Sequence, residues 1–299
     1  MDKQRLLVIG AGGFLGTYAV HAAEAASCFE VLRGGRAAGS ESCSETGAAF
    51  VELQITDGAS VEAAFVRARP DSVLLLAAIS DIDRCERSPD EAYAVNVKGV
   101  EHVADACAQN HVRLLFASSA AVFDGTQKGY GEEDAPNPLS VYGKTKLIGE
   151  QVIQERDPSA VILRFALAIG FARRAGTNAM LDSVMAQWQV GKAVSFSTRE
   201  DRNPIDAASL SEIMIALLAD KTLSGVYHAG AIDTVSRYEL GLRLAERAGV
   251  PAELVRPQDE PLPGRAPRGQ HHFLLPNKLA RACGVKPQTT AEVIERCFS

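Results

Sequence analysis

Through its first 165 residues the chain alternates short, continuously apolar runs with stretches of helical period. RLLVIG (5–10), FEVLR (29–33), AFVEL (49–53), SVLLLAA (72–78), VRLLFAS (112–118) and AVILRF (160–165) predict strands. Runs without polar alternation are what a sheet covered by helices on both faces requires. Amphipathic stretches at 13–26, 60–68, 89–109 and 142–155 supply those helices, so the pattern predicts an α/β fold on a doubly wound parallel sheet. Past Gly170 the rhythm loosens. A helix near 177–190 and a short strand near 193–197 lead through the polar STREDRNPID to Asp206, which is placed to cap the helix LSEIMIALLAD. GVYHAG (225–230) predicts another strand, and Ser236 precedes the helical RYELGLRLAERAG. The proline-rich segment 251–275 predicts irregular chain before a last helix near 290–297. The division that follows is a sheet domain over 1–165 and a smaller α/β lobe over 166–299, with the segment 198–220 packing back on the first.

Composition narrows the class. Apolar residues make up 46% and charged residues 23%, which is globular rather than disordered. A net charge of -6 argues against a nucleic-acid partner, which usually requires a basic stripe. The longest apolar runs, VLLLAAI (73–79) and IMIALLA (213–219), are too short to cross a bilayer, and no cleavable signal pattern opens the chain, so the expectation is a cytoplasmic protein with no membrane partner. Six cysteines (Cys28, Cys43, Cys85, Cys107, Cys283, Cys297) lack metal-ligand spacing and fit free thiols in a reducing compartment. His271 and His272, among Arg265, Arg268 and Gln270, suggest a polar loop, and no metal site is expected.

Two local patterns carry chemistry. GAGGFLG (10–16) joins the first strand to the first helix, with Gly10, Gly13 and Gly16 three apart and Phe14 and Leu15 opening the helix. Such glycines permit a tight turn and close backbone approach, and the helix N-terminus offers free N–H groups to a pyrophosphate. At the adenine ribose, NAD-preferring sites place an acid at the end of the second strand. Here Arg33 and Arg36 stand there, and a guanidinium fork matches a 2′-phosphate, so NADP(H) is favoured over NAD(H). Asp57, after the third strand, either meets the adenine amine or caps the next helix.

The second pattern is SVYGKTK (140–146). Of the six tyrosines only Tyr142 has a lysine four positions later, Lys146, on the same helix face. A phenol near pKa 10 needs a shift of about three units, or ~4 kcal/mol, to exchange protons near neutrality. An ammonium at ~5 Å supplies roughly 3 kcal/mol at an effective dielectric of 20. FASSAAVFDG (116–125) ends the fifth strand, where Ser119 could donate to a carbonyl oxygen; Ser118 reads as the end of the strand.

Together these pieces resemble the extended short-chain dehydrogenase/reductase superfamily, a Rossmann fold, and more narrowly its dTDP-4-dehydrorhamnose reductase-like branch. The resemblance rests on GAGGFLG, on DIDRCERSPDEAYAVNVKGVEHVADAC with Asn96, on SSAAVFDG and YGEEDAPNPLSVYGKTKLIGE, and later on RNPIDAASL and GVYHAG. It implies that Tyr142 is a general acid, that Lys146 binds the nicotinamide ribose and lowers the phenol's pKa, and that Ser119 polarises the carbonyl. It also implies that Ala77 and Ala78 line the cofactor by backbone and that Arg164 and the residues to Gly170 run toward the nicotinamide. The implied substrate is a small molecule, nucleotide-linked or a simpler ketone, touched by Ser119, Ala120, Arg202 and Arg268. Arg202, Arg265 and Arg268 either clamp a diphosphate or are solvated. Many relatives form homodimers through the helices 89–109 and 142–155. The branch usually carries Thr-Asp-Tyr where Ser119, Ala120 and Ala121 stand, which unsettles the rhamnose-pathway substrate. Three readings follow: an NADPH-dependent ketone reductase, an NAD-dependent sugar-nucleotide epimerase, and a non-catalytic NADP-binding subunit like the partner of methionine adenosyltransferase.

Overall fold

The computed structural model describes residues 3–36, 47–174, 177, 179–260 and 263–299. Cys43 lies outside them. Six strands follow the predicted runs: β1 Gln4–Ile9, β2 Phe29–Gly35, β3 Ala49–Glu52, β4 Ser72–Leu75, β5 Arg113–Ala117 and β6 Val161–Phe165. They pair in parallel in the order β6-β5-β4-β1-β2-β3. The strand Gly225–Ala229 adds a seventh, parallel to β6. A division at residue 165 therefore cuts across this sheet, because a segment far along the chain completes it. Strand order reverses between β1 and β4, so the carboxyl ends of these two strands frame the crevice where doubly wound sheets bind ligands.

Leu6, Leu7, Val8 and Ile9 are all buried, as are Ser72 to Leu75, because helices cover both faces. On one face α2 (Gly58–Ala68), the run 89–109 and α6 (Val141–Arg156) bury Phe65, Val103 and Ile153 against Leu7, Val73 and Phe116. On the other, α1 (Phe14–Ala25) and α8 (Ala207–Ala219) bury Val20, Leu210 and Met214 against Leu6, Leu74 and Leu163. Asp206 caps α8 by accepting from the Ser209 N–H at 2.7 Å, and Ser236 caps α9 (Arg237–Arg247) through Glu239 N–H at 3.0 Å. Asp57 is engaged as the cap of α2, accepting from Ala59 and Ser60 N–H groups at 3.0 and 3.3 Å.

The predicted helix 89–109 is three pieces: α4 Pro89–Tyr93, a wider π turn Ala94–Lys98, and α5 Gly99–Gln109. The π turn carries Asn96 inward, where it is 1% exposed. Its carboxamide accepts from Ile79 N–H at 2.8 Å and donates to Ile79 C=O at 3.0 Å and to Thr145 Oγ1 at 3.2 Å. One side chain thus ties the loop after β4 to α6.

The remaining chain forms the smaller lobe around Trp188, Phe196, Leu240, Leu244 and Ile294, between α7 (Met180–Gln189) and α9. The segment 251–275 is more ordered than its prolines suggest: Val255–Gln258 pairs with Val194–Ser197, and His271–His272 pairs with Asp201–Arg202. His271 and His272 are accordingly not a loose polar loop. His271 Nδ1 lies 2.8 Å from an Asp201 carboxylate oxygen, and His272 is buried with Nε2 3.1 Å from Phe123 C=O. No helix among the described residues is long and apolar enough to cross a membrane.

Candidate active site

The glycine turn is built by close approach. Gly10 has φ +94°, and a Cβ there would stand 2.8 Å from Ala77 N; one on Gly16 would stand 2.1 Å from Gly10 C=O. Only glycine lets β1, the loop after β4 and α1 meet this tightly. Leu76 and Ala77 N–H groups both donate to Ile9 C=O, which bends the chain out of β4 and lays Ala77 beside the turn, with Ala78 half-buried after it. Gly13 is the N-cap of α1 and offers no side chain to its first-turn N–H groups. Phe14 and Leu15 are half-buried in that turn, Phe14 edge-on to Tyr18. An uncapped helix start behind a cradle that a methyl group would fill fits the diphosphate of a dinucleotide.

Arg33 sits inside β2 rather than at its end, since the strand continues to Gly35. It is 8% exposed, and its Nε donates to Ala48 C=O at 2.9 Å. Arg36 follows the strand and is exposed.

The proton-transfer groups meet beyond β5. Ser119 caps a short turn, Ala120–Val122, accepting from Ala121 N–H at 3.1 Å. Ser140 caps α6 through Gly143 N–H at 3.2 Å, and a Cβ on Gly143 would stand 2.1 Å from Ala121 C=O. The first turn of α6 therefore lies directly on the 120–122 turn, which brings Tyr142 to Ser119. Burial of the Tyr142 phenol pushes its pKa up to about 12, opposed by a hydrogen bond with the Ser119 hydroxyl. Lys146 is 2% exposed; its Nζ donates to Ala117 C=O at 2.6 Å and lies 3.8 Å from the Phe116 ring centre. Burial pushes its pKa down to about 7, and Glu150 one turn on raises it. The ammonium is turned to the β5 backbone, and the Tyr142 pKa stays above that of a free phenol.

A cleft opens from Ser119, lined also by Ile82, Ala121, Leu139, Arg202 and Arg268. Ser119, Arg202 and Arg268, far apart in sequence, thus share one wall. Ala120 does not join them; it is 1% exposed in a small core with Phe123 and Tyr130, and Ala121 lines the cleft instead. The arginines are heavily engaged. Arg202 donates to Glu200 at 3.0 Å and to Asp201, Gln270 and Gly269 carbonyls, and burial lowers its pKa to about 10. Arg268 grips Asp83 with two bonds of 2.9 and 2.8 Å, which holds the Asp83 carboxyl at about 2. Arg265 also pairs with Glu200.

The residue-by-residue match has its counterpart over the whole length. The family model described as RmlD substrate binding domain matches residues 4–299. The chain belongs to the RmlD family. This family is a branch of the extended short-chain dehydrogenase/reductase superfamily. The RmlD-family chain is 32% identical over 293 residues to dTDP-4-dehydrorhamnose reductase of Mycobacterium tuberculosis, covering 95% of this chain and 89% of that one. It is 30% identical over 286 residues to methionine adenosyltransferase 2 subunit beta of Xenopus tropicalis, covering 93% and 82%. In fold it is similar to dTDP-4-dehydrorhamnose reductase of Bacillus anthracis solved with NADP, with a TM-score of 0.86 at 23% identity and 99% of both chains covered. It is also similar to Thermus thermophilus UDP-glucose 4-epimerase solved with NAD, with a TM-score of 0.81 at 25% identity and 99% of both chains covered.

One group of this RmlD-family site is not legible in the sequence. Ser118 does more than end the strand: it donates to Glu150, and Arg164 binds the same carboxylate with bonds of 2.9 and 2.6 Å. The Arg164 guanidinium is thereby committed beneath the site. Glu150 and Arg164 side chains are 2% and 5% exposed. His228, on the seventh strand, approaches Arg164 with Nε2 at 3.5 Å and Tyr130 C=O with Nδ1 at 3.1 Å. Arg164 can only donate, so His228 is neutral with its proton on Nδ1, in keeping with a pKa that burial lowers to about 3. The available signal was Glu150 one turn after Lys146, on the face of α6 that also buries Thr145 and Ile153.

Proposed function

We propose that this protein is an NADPH-dependent reductase of a ketone, the substrate being a nucleotide-linked 4-keto-6-deoxy sugar or a related intermediate. The observation that carries this reading is the meeting of Tyr142 with Ser119, which lines a cleft together with Arg202 and Arg268. The bound dinucleotide supplies a hydride to the carbonyl carbon. Ser119 hydrogen-bonds the carbonyl oxygen, and Tyr142 gives its phenolic proton to that oxygen as charge develops. A phenol held at about 12 is fully protonated at neutral pH, which is the state a donor needs. Tyr142 lies in the first turn of α6, whose positive dipole end favours the phenolate left behind. Lys146 holds the ribose beside it.

The 2′-phosphate assignment of Arg33 and Arg36 and the cytoplasmic setting belong to the same reading, as does a homodimer through the helical run 89–109 and α6. NADPH oxidation with a dTDP-4-keto-6-deoxyhexose, compared with NADH, tests it. The expected result is turnover that prefers NADPH and falls roughly 100- to 10,000-fold in Tyr142→Phe while NADPH affinity is kept. Undiminished turnover in Tyr142→Phe defeats the assignment of the acid.

The kinship with methionine adenosyltransferase 2 subunit beta favours a second reading, an NADP-binding regulatory subunit. Ala120 and Ala121 in place of the Asp and Tyr usual in the reductases are compatible with it. Co-purification with a methionine adenosyltransferase catalytic subunit, together with no ketone turnover, would select it.

A further inference from the structure

Arg174 stands apart from the arginines of the cleft. It belongs to the chain that leaves β6, yet it reaches back over the glycine turn, where Nη1 meets Gly12 C=O at 3.4 Å. Gly12 makes room for it: a Cβ at that position would lie 3.0 Å from the same Nη1. Nε of Arg174 is shielded from solvent and has no hydrogen-bond partner, and the long bond to Gly12 is the one partner of its guanidinium among the described residues. Arg202 and Arg268, by contrast, are spent on carboxylates and carbonyls.

The placement is braced. Tyr18 of α1 donates to Phe171 C=O at 2.8 Å, and Arg173 lies over the Tyr18 ring at 4.8 Å. Ala172 N–H donates to Asp182 at 2.6 Å, and Thr177 Oγ1 donates to Arg174 C=O at 2.8 Å. A cation with open donors is therefore fixed next to an uncapped helix start that lacks any side chain of its own. The chemistry that satisfies both is a doubly charged oxyanion bridging first-turn N–H groups and a guanidinium.

We propose that Arg174 is a further cofactor-binding residue, which closes over the glycine turn and grips the diphosphate of the dinucleotide from the side of the smaller lobe. The proposal rests on the dinucleotide reading above and adds a contact that the glycine pattern does not contain. Because NADPH and NADH share the diphosphate, Arg174 serves both alike and takes no part in choosing between them.

The test is equilibrium binding to the full chain by calorimetry or by quenching of protein fluorescence, with Arg174→Met, Arg174→Lys and Arg36→Ala. Arg174→Met is expected to weaken NADPH, NADH and ADP-ribose by a similar factor of about ten, as loss of hydrogen bonds to a charged group implies. It should leave 2′-AMP, which has no diphosphate, unchanged. Arg174→Lys should recover part of the loss, and Arg36→Ala should weaken NADPH and 2′-AMP, which share the 2′-phosphate, but neither NADH nor ADP-ribose. Unaltered dinucleotide affinity in Arg174→Met overturns the proposal, as does a loss confined to NADPH or a loss equally large for 2′-AMP. A lowered melting temperature with intact affinity assigns Arg174 to lobe packing and overturns it too. If the wild-type chain binds neither dinucleotide, the underlying reading fails, and that result is distinct from a wild type that binds and a variant that binds equally well.

Discussion

The glycine turn, proposed above as the cofactor wall, and the Ser119 cleft, proposed as the substrate wall, treat their polar groups in opposite ways. On the cofactor wall the first-turn N–H groups of α1 have no side-chain cap, and Arg174 makes one long hydrogen bond. On the substrate wall Arg202 makes four bonds and Arg268 is clamped bidentately by Asp83. Donors left open in a pre-formed cradle give their full strength to an incoming anion, because little has to be broken first. Donors already paired to carboxylates give only what geometry leaves over, and they hold the wall rigid instead. The cofactor wall is thus built for affinity and the substrate wall for shape. Dinucleotide binding should depend steeply on single residues, whereas substrate binding should respond in small steps.

The steepest step is expected at Gly16. A methyl group there would stand 2.1 Å from Gly10 C=O and 2.7 Å from the Ala11 carbonyl carbon, far inside contact distance. Gly16→Ala must push α1 away from the end of β1 and spoil the cradle. Dinucleotide affinity should fall more than about 100-fold, some 3 kcal/mol. Circular dichroism should show that the sheet is retained. Calorimetry giving wild-type affinity would show that the cradle is not where the dinucleotide binds.

A smaller effect, with a pH signature, is expected at Lys146, which is buried against the end of β5. Its folded pKa of about 7 lies below the ordinary 10.5 because the ammonium is buried. Below pH 7 both the folded and unfolded states hold the proton, and folding bears the whole cost of burying the charge. Between 7 and 10.5 the unfolded chain holds a proton that the folded chain has released, so stability rises with pH. Lys146→Met should remove that rise and stabilise the cofactor-free protein near pH 6.5 by roughly 1–3 kcal/mol, the scale of relieving a buried charge. Denaturant melts at pH 6.5 and 9.5 measure it. A variant whose melts show the same dependence on pH as the wild type would place the titration elsewhere.

Both of these sites were legible in the sequence because they are local. Gly10, Gly13 and Gly16 fall within one turn, Tyr142 and Lys146 within one turn of α6, and the caps Asp206 and Ser236 stand next to the helices they start. What the sequence leaves out depends on strand order. Glu150 and Arg164 are only 14 residues apart, but they meet because β6 lies beside β5 beneath α6. Arg268 and Asp83 are 185 residues apart, and no local pattern joins them. GVYHAG is readable as a strand, but its place at the edge of the first sheet is set by α8 crossing over that sheet. Helix spacing also gives proximity without direction: Lys146 lies on the face of Tyr142, while its Nζ is turned to Ala117 C=O.

The smallest step is expected at Asp83, on the substrate wall. Its carboxylate accepts from Arg268 twice and from Ala266 N–H at 2.8 Å, so it fastens the loop that lines the cleft to α3 (Ile82–Arg87). The Asp83 pKa is lowered to about 2, first by the Arg268 hydrogen bond. The stabilisation is present above the ordinary carboxylate pKa and is lost only as pH falls through about 2, so acidification from pH 8 to 5 should not open the strap. Substitution should. The side chain of Asp83 is 31% exposed, and a pair so placed contributes about 1 kcal/mol. Asp83→Asn should therefore raise the KM for the sugar substrate about fivefold, leave kcat within a factor of two, and leave NADPH affinity unchanged. A fall in NADPH affinity instead would mean that the strap reaches across to the cofactor wall and that the two walls are not independent.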